Sequence, residues 1–344
     1  MVRIEIEGGL DAFQLNRRCV KAAPVTRPLS PMKRKDTGDF LFKQILKIFP
    51  LLILVLMGAI LFQLVSFSSL SIKRFGFSFL ITSTWDPVFE KFGALPFIYG
   101  TLVTSFVALL IAVPIGLGAS IYLAEYAPLK IQKIFSSLID LLAAIPSVIY
   151  GLWGIFVLVP IMRTHVQPFL GKHLGFLPFF QGPNYGVGFL AASVILSIMI
   201  VPFIISVSRE VISAVPSVYK EAAYAVGATR WEAIQTIVLS CGKQGIIGSV
   251  ILALGRAIGE TMAVTMIIGN NVKISASLFS PGYTLSSVIA NEFAEAASKL
   301  YLSSLIEIGL VLLVVSIVVN IIARVLIWSV TKHQQFSPNA AKII

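Results

Sequence analysis

Long stretches without Asp, Glu, Lys or Arg alternate along the chain with short clusters of charge. One lies between Lys47 and Lys73, a second between Lys91 and Glu125, a third between Asp140 and Arg163, and a fourth between Lys172 and Arg209. A fifth apolar stretch, about Gln244 to Gly269, is interrupted by Arg256 and Glu260. A sixth, about Ser303 to Trp328, carries Glu307 and Arg324 near its ends. Crossing the hydrocarbon of a bilayer takes about 20 apolar residues in a helix, so the pattern predicts an all-α polytopic membrane protein with six transmembrane helices. Pro114, Pro146, Pro160 and Pro202 fall inside these spans, where neighbouring helices can satisfy the freed carbonyls. Gly116, Gly118, Ala143, Ala144, Gly151 and Gly154 allow the close packing this needs.

Orientation follows from the basic residues on alternate sides of the spans. One side collects ten before the first span, then Lys130, Lys133, Arg209, Lys220, Arg230, Lys243, Arg324, Lys332 and Lys342, 19 altogether. The other collects Lys73, Arg74, Lys91, Arg163, Lys172, Lys273 and Lys299, which is 7. Both termini are therefore expected in the cytoplasm. The first 40 residues contain no apolar core followed by a small-residue cleavage site, so the first span reads as an uncleaved signal anchor. Residues 1–40 read as a disordered cytoplasmic extension, residues 41–332 as the permeation domain and residues 333–344 as a cytoplasmic tail. Met32, directly before Lys33, Arg34 and Lys35, is an alternative translation start.

Composition narrows the class. Of 344 residues, 57 % are hydrophobic and 12 % charged, with a mean hydropathy of +0.90. Soluble domains carry about 25 % charged residues, so an ordinary soluble enzyme is excluded. The net charge is +11, and ten of the 27 basic residues precede the first span, which reads as a topology signal with no nucleic-acid module behind it. Cys19 and Cys241 offer neither a disulfide framework nor a cysteine metal site. His165, His173 and His333 are expected on loops and the tail, with no metal or catalytic role. Asp140 is expected to open the third span, where a carboxylate suits the helix dipole.

The loop between the fourth and fifth spans, about residues 209–244, is the most informative polar stretch. Pro216 suits the first turn of a short helix that carries Glu221, Ala222 and Ala223 and stops at Gly227. Thr229 and Glu232 have the spacing of a capping box for a second helix, in which Trp231, Ile234, Ile237 and Val238 recur at a helical period. Glu-Ala-Ala, three residues, Gly, nine residues, Ile, one residue, Leu resembles the EAA loop of ABC-importer permeases. The family pattern usually ends in Pro, where this chain has Ser240.

Further stretches resemble, more narrowly, the PstC-type permeases of bacterial phosphate-specific ABC importers. They are Gly93-Ala-Leu-Pro-Phe-Ile-Tyr-Gly-Thr-Leu-Val-Thr-Ser105, Leu141-Leu-Ala-Ala-Ile-Pro-Ser-Val-Ile-Tyr-Gly-Leu-Trp-Gly154, Gly255-Arg-Ala-Ile-Gly-Glu-Thr-Met-Ala-Val-Thr-Met-Ile-Ile-Gly-Asn270 and Asn291-Glu-Phe-Ala-Glu-Ala296. The likeness runs from about Phe40 to Lys332, and PstA-type permeases resemble the chain less around Gly255 to Asn270. It implies the type I (MetI-like) importer permease fold and ATP-driven import of phosphate across the bacterial inner membrane by alternating access. The implied partners are a PstA-type permease, a PstB-type ATPase dimer that docks at the EAA loop and binds the ATP and Mg, and a PstS-type periplasmic phosphate-binding protein. For the loop it implies that Glu221, Ala222, Ala223 and Gly227 couple to the ATPase. The chain itself has no Gly-x-x-x-x-Gly-Lys-Ser/Thr loop and so no P-loop ATPase site.

Arg256 and Glu260 stand four apart, which on one helix places them on one face. A charge at mid-bilayer costs at least about 2.5 kcal/mol, so both are expected to face protein or water. They either neutralise charges and hold helices together, or serve the substrate, Arg256 as a planar donor fork for phosphate oxygens with Glu260 tuning its field. The resemblance favours the second and brings in Thr261, with Thr265 and Asn270 as weaker candidates. Glu307 and Arg324 are expected near the two membrane interfaces. A permease for another oxyanion, such as sulfate or molybdate, shares fold and loop. An ion-coupled secondary transporter leaves the EAA loop unexplained, and a signalling role could coexist with transport.

Overall fold

The computed structural model describes residues 37–335, with side chains for residues 42–325. The expected extension before residue 37 and the last residues of the tail lie outside these. Among the described residues six helices are long and apolar enough to cross a membrane. They are α1 (Phe42–Phe75), α2 (Leu95–Tyr126), α4 (Ser147–Leu174), α5 (Phe189–Ser213), α7 (Arg230–Gly259) and α10 (Lys299–Val325). Shorter helices intervene: α3 (Leu129–Ala144), α6 (Ser217–Ala225), α8 (Met262–Ile268) and α9 (Leu285–Glu292). No strand occurs among the described residues, only an isolated bridge between Asp86 and Lys91.

The chain divides between Ala59 and Ile60 into two units. The described part of the first is the opening stretch of α1, free of charge after Lys47. The second, from Ile60 on, holds the rest of α1 and every later helix.

The centre of this second unit is a seam of α2, α5 and α7, where Ala108 and Ala112 meet Leu196, Ile200 and Ile204 beside Ala253 and Ala257. Small residues set the spacing, since a Cβ on Gly116 would stand 2.7 Å from Cγ2 of Ile204. Ser208 and Ser249 hydrogen-bond between α5 and α7 at 2.7 Å. Gly151 and Gly154 of α4 lie against Ala263, Met266 and Ile267 of α8, whereas Gly118 faces open space. The segment from α8 to α9 folds back onto the seam: Leu190 donates its N–H to the Leu278 carbonyl at 2.8 Å, and Asn271 to the Gly282 carbonyl at 3.0 Å. The Leu285 N–H at the start of α9 finds Thr101 Oγ1 of α2 at 2.9 Å. Leu300, Tyr301, Leu305 and Ile308 of α10 pack with Phe92, Phe97 and Val288.

Two expectations are corrected. Asp140 does not open the third span; it lies near the end of α3, and the span begins beyond Pro146. Proline forces the residue before it out of the helical region, and Ile145 is accordingly extended (φ −64°, ψ 129°). The span then runs past Arg163 to Leu174 through two π-helical turns, Gly154–Leu158 and Met162–Val166. His165 and His173 are therefore helical, as is the backbone at His333, rather than on loops.

Candidate functional site

The fifth span ends earlier than its apolar run. α7 stops at Gly259, and Glu260 is extended (φ −69°, ψ 131°). The break is held from both sides. Ser286 Oγ of α9 donates to the Glu260 carbonyl at 2.7 Å, and Glu260 Oε1 accepts the Ala263 N–H of α8 at 3.3 Å. Thr261 Oγ1 donates to the Gly259 carbonyl at 3.3 Å, and the Thr261 carbonyl takes Thr265 Oγ1 at 2.7 Å. Asn270, in the left-handed region at φ 49°, donates its amide to the Thr265 carbonyl at 3.1 Å. Glu260 caps the helix that carries Arg256, at the spacing of four, but the two side chains do not pair. Ion pairs among the described residues join Arg74 to Glu90 and Lys220 to Glu125, not Arg256 to Glu260.

Arg256 instead lies over an aromatic ring. Its guanidinium carbon is 4.1 Å from the ring centroid of Phe203 on α5, a cation–π distance. Among the described residues its N–H donors meet no carbonyl or carboxylate oxygen, and the side chain is exposed on the chain. The arrangement leaves a permanent positive charge with free donors beside the α7–α8 break.

The polar hairpin forms as its local signals dictate. Pro216 sits one residue earlier than expected, as the extended cap of α6 (ψ 135°). Gly227 makes the bend at φ 87° with nothing within 4 Å of an added Cβ. Thr229 and Glu232 complete the capping box, the Thr229 N–H donating to Glu232 Oε2 at 2.7 Å and the Glu232 N–H to Thr229 Oγ1 at 3.3 Å. Ile234 and Val238 are buried with Ile212 and Val215. Glu221, Ala222 and Gly227 are exposed, while Ala223 is buried. At Ser240 α7 continues unbroken, as the missing proline allows.

Several residues gave no signal in the sequence. Glu125, at the end of α2, pairs through Oε1 with Lys220 Nζ of α6 at 3.0 Å, the two side chains 6 % and 20 % exposed. Arg230 donates to the Glu125 carbonyl and lies 4.5 Å from the Tyr126 ring centroid. The hairpin is therefore clasped to one end of α2. At the other end of the fold Glu292 Oε2 accepts from Trp85 Nε1 at 2.6 Å and from the Tyr301 hydroxyl at 2.7 Å. Neighbouring Tyr283 accepts from the Asn291 amide at 3.0 Å, and burial pushes its phenol up to about 12. Glu307 is buried, and its Oε2 has no hydrogen-bond partner. No cluster of three His, Cys, Asp or Glu side chains that could hold a metal occurs among the described residues.

Residues 112–332 match the family described as binding-protein-dependent transport system inner membrane component. A Haemophilus influenzae protein named phosphate transport system permease protein PstC is 50 % identical over 301 residues, covering 86 % of this chain and 94 % of the relative. A protein of that name from Mesorhizobium japonicum is 47 % identical over 297 residues, covering 85 % and 91 %. Methanocaldococcus jannaschii has a probable one, 41 % identical over 258 residues, covering 73 % and 82 %. Among solved structures, a chain of a bacterial alginate ABC transporter, crystallised with its alginate pentasaccharide-bound periplasmic protein, superposes with a TM-score of 0.55 at 19 % identity. The superposition covers 87 % of this chain and 99 % of that one, a likeness of fold.

Proposed function

The chain belongs to the binding-protein-dependent transport system inner membrane component family, and from that premise we propose that it is the permease subunit through which an ATP-driven importer moves inorganic phosphate across the bacterial inner membrane. The observation that carries the substrate is the likeness to phosphate permeases over nearly their whole length. With no P-loop in the sequence, energy comes from a separate ATPase that binds ATP and Mg. The further partners in this reading are a second, PstA-type permease, the PstB-type ATPase as a dimer, and a PstS-type phosphate-binding protein at the outer face. Both termini and the α6 hairpin face the cytoplasm.

In this reading Arg256 contacts the anion. A guanidinium is charged at every physiological pH and offers a planar fork of donors that suits phosphate oxygens, and at Arg256 those donors are uncommitted. Glu260 and Thr261 shape the break that lets the pathway pass beside α8. Glu221, Ala222 and Gly227 form the surface that the ATPase grips: a fixed charge, a small side chain that allows close approach, and a sharp bend, with Ala223 buried behind them. Closure of the ATPase pulls the hairpin, and the clasp at Glu125 carries the pull to α2, which drives alternating access.

The test is ATP-dependent uptake of labelled phosphate into proteoliposomes containing the assembled importer. Arg256→Gln is expected to lose uptake while keeping the ATPase bound, and Glu221→Lys to lose both uptake and the ATPase. Normal uptake by Arg256→Gln would remove Arg256 from the pathway. A wild-type assembly that carries sulfate or molybdate and not phosphate would move the substrate to that oxyanion.

A further inference from the structure

We propose that Phe203 is the positioning residue for Arg256, its ring holding the guanidinium in the pathway while leaving the N–H donors free for phosphate oxygens. The inference rests on the reading that Arg256 contacts the anion.

Which partner positions which follows from how each is held. Phe203 is half-buried in α5 between Pro202 and Ile204, both buried, and Ile204 is wedged against Gly116 of α2. The ring thus stands on a backbone clamped at the central seam. Arg256 is exposed, on a long stem with no other polar contact among the described residues. The fixed group is the ring, and the group that needs fixing is the arginine.

The choice of ring over carboxylate has a chemical consequence. A carboxylate would hold the guanidinium by occupying its N–H donors and cancelling its charge, so an incoming anion would have to displace it. An aromatic face attracts the cation through its quadrupole and leaves the charge in place. The arginine is then oriented without being neutralised, and a phosphate, which forms charged hydrogen bonds, gains the donors without displacing an anion. Glu260, the nearest carboxylate along the chain, is turned to the Ala263 N–H.

The experiment uses the assembled importer in proteoliposomes with saturating binding protein, reading the maximal rate of ATP-dependent phosphate uptake, with co-purification of the ATPase as the check on assembly. Phe203→Leu and Phe203→Met, which keep apolar bulk, are expected to lower that rate roughly tenfold, and Phe203→Tyr, which keeps the ring, to stay within about twofold of wild type. Wild-type rates for both aliphatic variants would overturn the proposal. So would equal losses for Phe203→Tyr and Phe203→Leu. Arg256→Gln separates the two readings: normal uptake in it removes the premise, whereas lost uptake in it beside normal uptake in Phe203→Leu removes the role of Phe203 only.

Discussion

Glu307 and Gly100 show how closely single positions are specified. Glu307 follows Ser303 and Ser304 by one turn of α10, where Ser304 Oγ meets Ser71 Oγ of α1 at 3.0 Å and Ser303 Oγ donates to the Phe67 carbonyl at 2.7 Å. The residue is 6 % exposed with one carboxyl oxygen unpartnered, and an unpaired carboxyl in such a place costs free energy if it is charged. Glu307→Gln keeps the shape and adds two donors among oxygen acceptors. The expected result is a midpoint of thermal unfolding for the purified complex equal to or above wild type; a drop as large as that of Glu307→Lys would show that the carboxyl itself is required. At Gly100 the constraint is steric. A Cβ there would overlap the Tyr283 carbonyl oxygen, backbone against backbone, and overpacking of that kind costs about 1–3 kcal/mol or more. Gly100→Ala should therefore lower the same midpoint by several degrees, and an unchanged midpoint would mean that the loop before α9 can withdraw. Neither constraint is legible in the sequence, nor is the role of Phe203. Glycine and phenylalanine are ordinary in apolar helices, and their partners stand far away along the chain.

Elements divide by whether their signals are local. The hairpin was readable because its bend, its capping box and its apolar period all lie within about a dozen residues, and each has a direct physical cause. The α7–α8 break was not, because its hydrogen-bond partner, Ser286, lies 26 residues on and the run from Gln244 to Gly269 contains no proline. Counting charge-free residues also merged the end of α3 with α4, although Pro146 marks the junction. The clasp between hairpin and α2 joins Glu125 to Lys220, 95 residues apart. Because the Glu125 side chain is nearly enclosed, losing one partner is expected to cost on the order of 3 kcal/mol. Glu125→Lys and Lys220→Glu should each lower phosphate transported per ATP hydrolysed, and the exchanged pair should recover most of the loss. Single variants that keep the wild-type ratio would mean that the clasp transmits nothing. The bend at Gly227 is conformational only, since an added Cβ meets open space. Gly227→Ala is expected to cost about 1 kcal/mol from the left-handed backbone, with a larger loss of ATPase binding if the partner's surface closes over that position.

For the molecule as a whole, the question that joins fold to function is which side the hairpin faces. An ATPase is available only in the cytoplasm, so the coupling role of Glu221 and the orientation read from 19 basic residues against 7 stand or fall together. Two exposed positions report on opposite sides in this reading: Val226, 82 % exposed beside the Gly227 bend, and Val88, 85 % exposed in the turn between Asp86 and Lys91. In a chain with Cys19 and Cys241 replaced by Ser, Val226→Cys should react with a membrane-impermeant maleimide in inside-out vesicles and not in intact spheroplasts. Val88→Cys should show the reverse. If both label from one side, the number of crossings between them is even, against the single crossing of α2, the passage of α4 and the passage of α5 that the fold requires. If the two are exchanged, the fold stands but the hairpin faces the periplasm, and no cytoplasmic ATPase could reach it. The expected pattern would leave Arg256 in a pathway whose inner mouth lies on the side where ATP is hydrolysed, the geometry that uphill import demands.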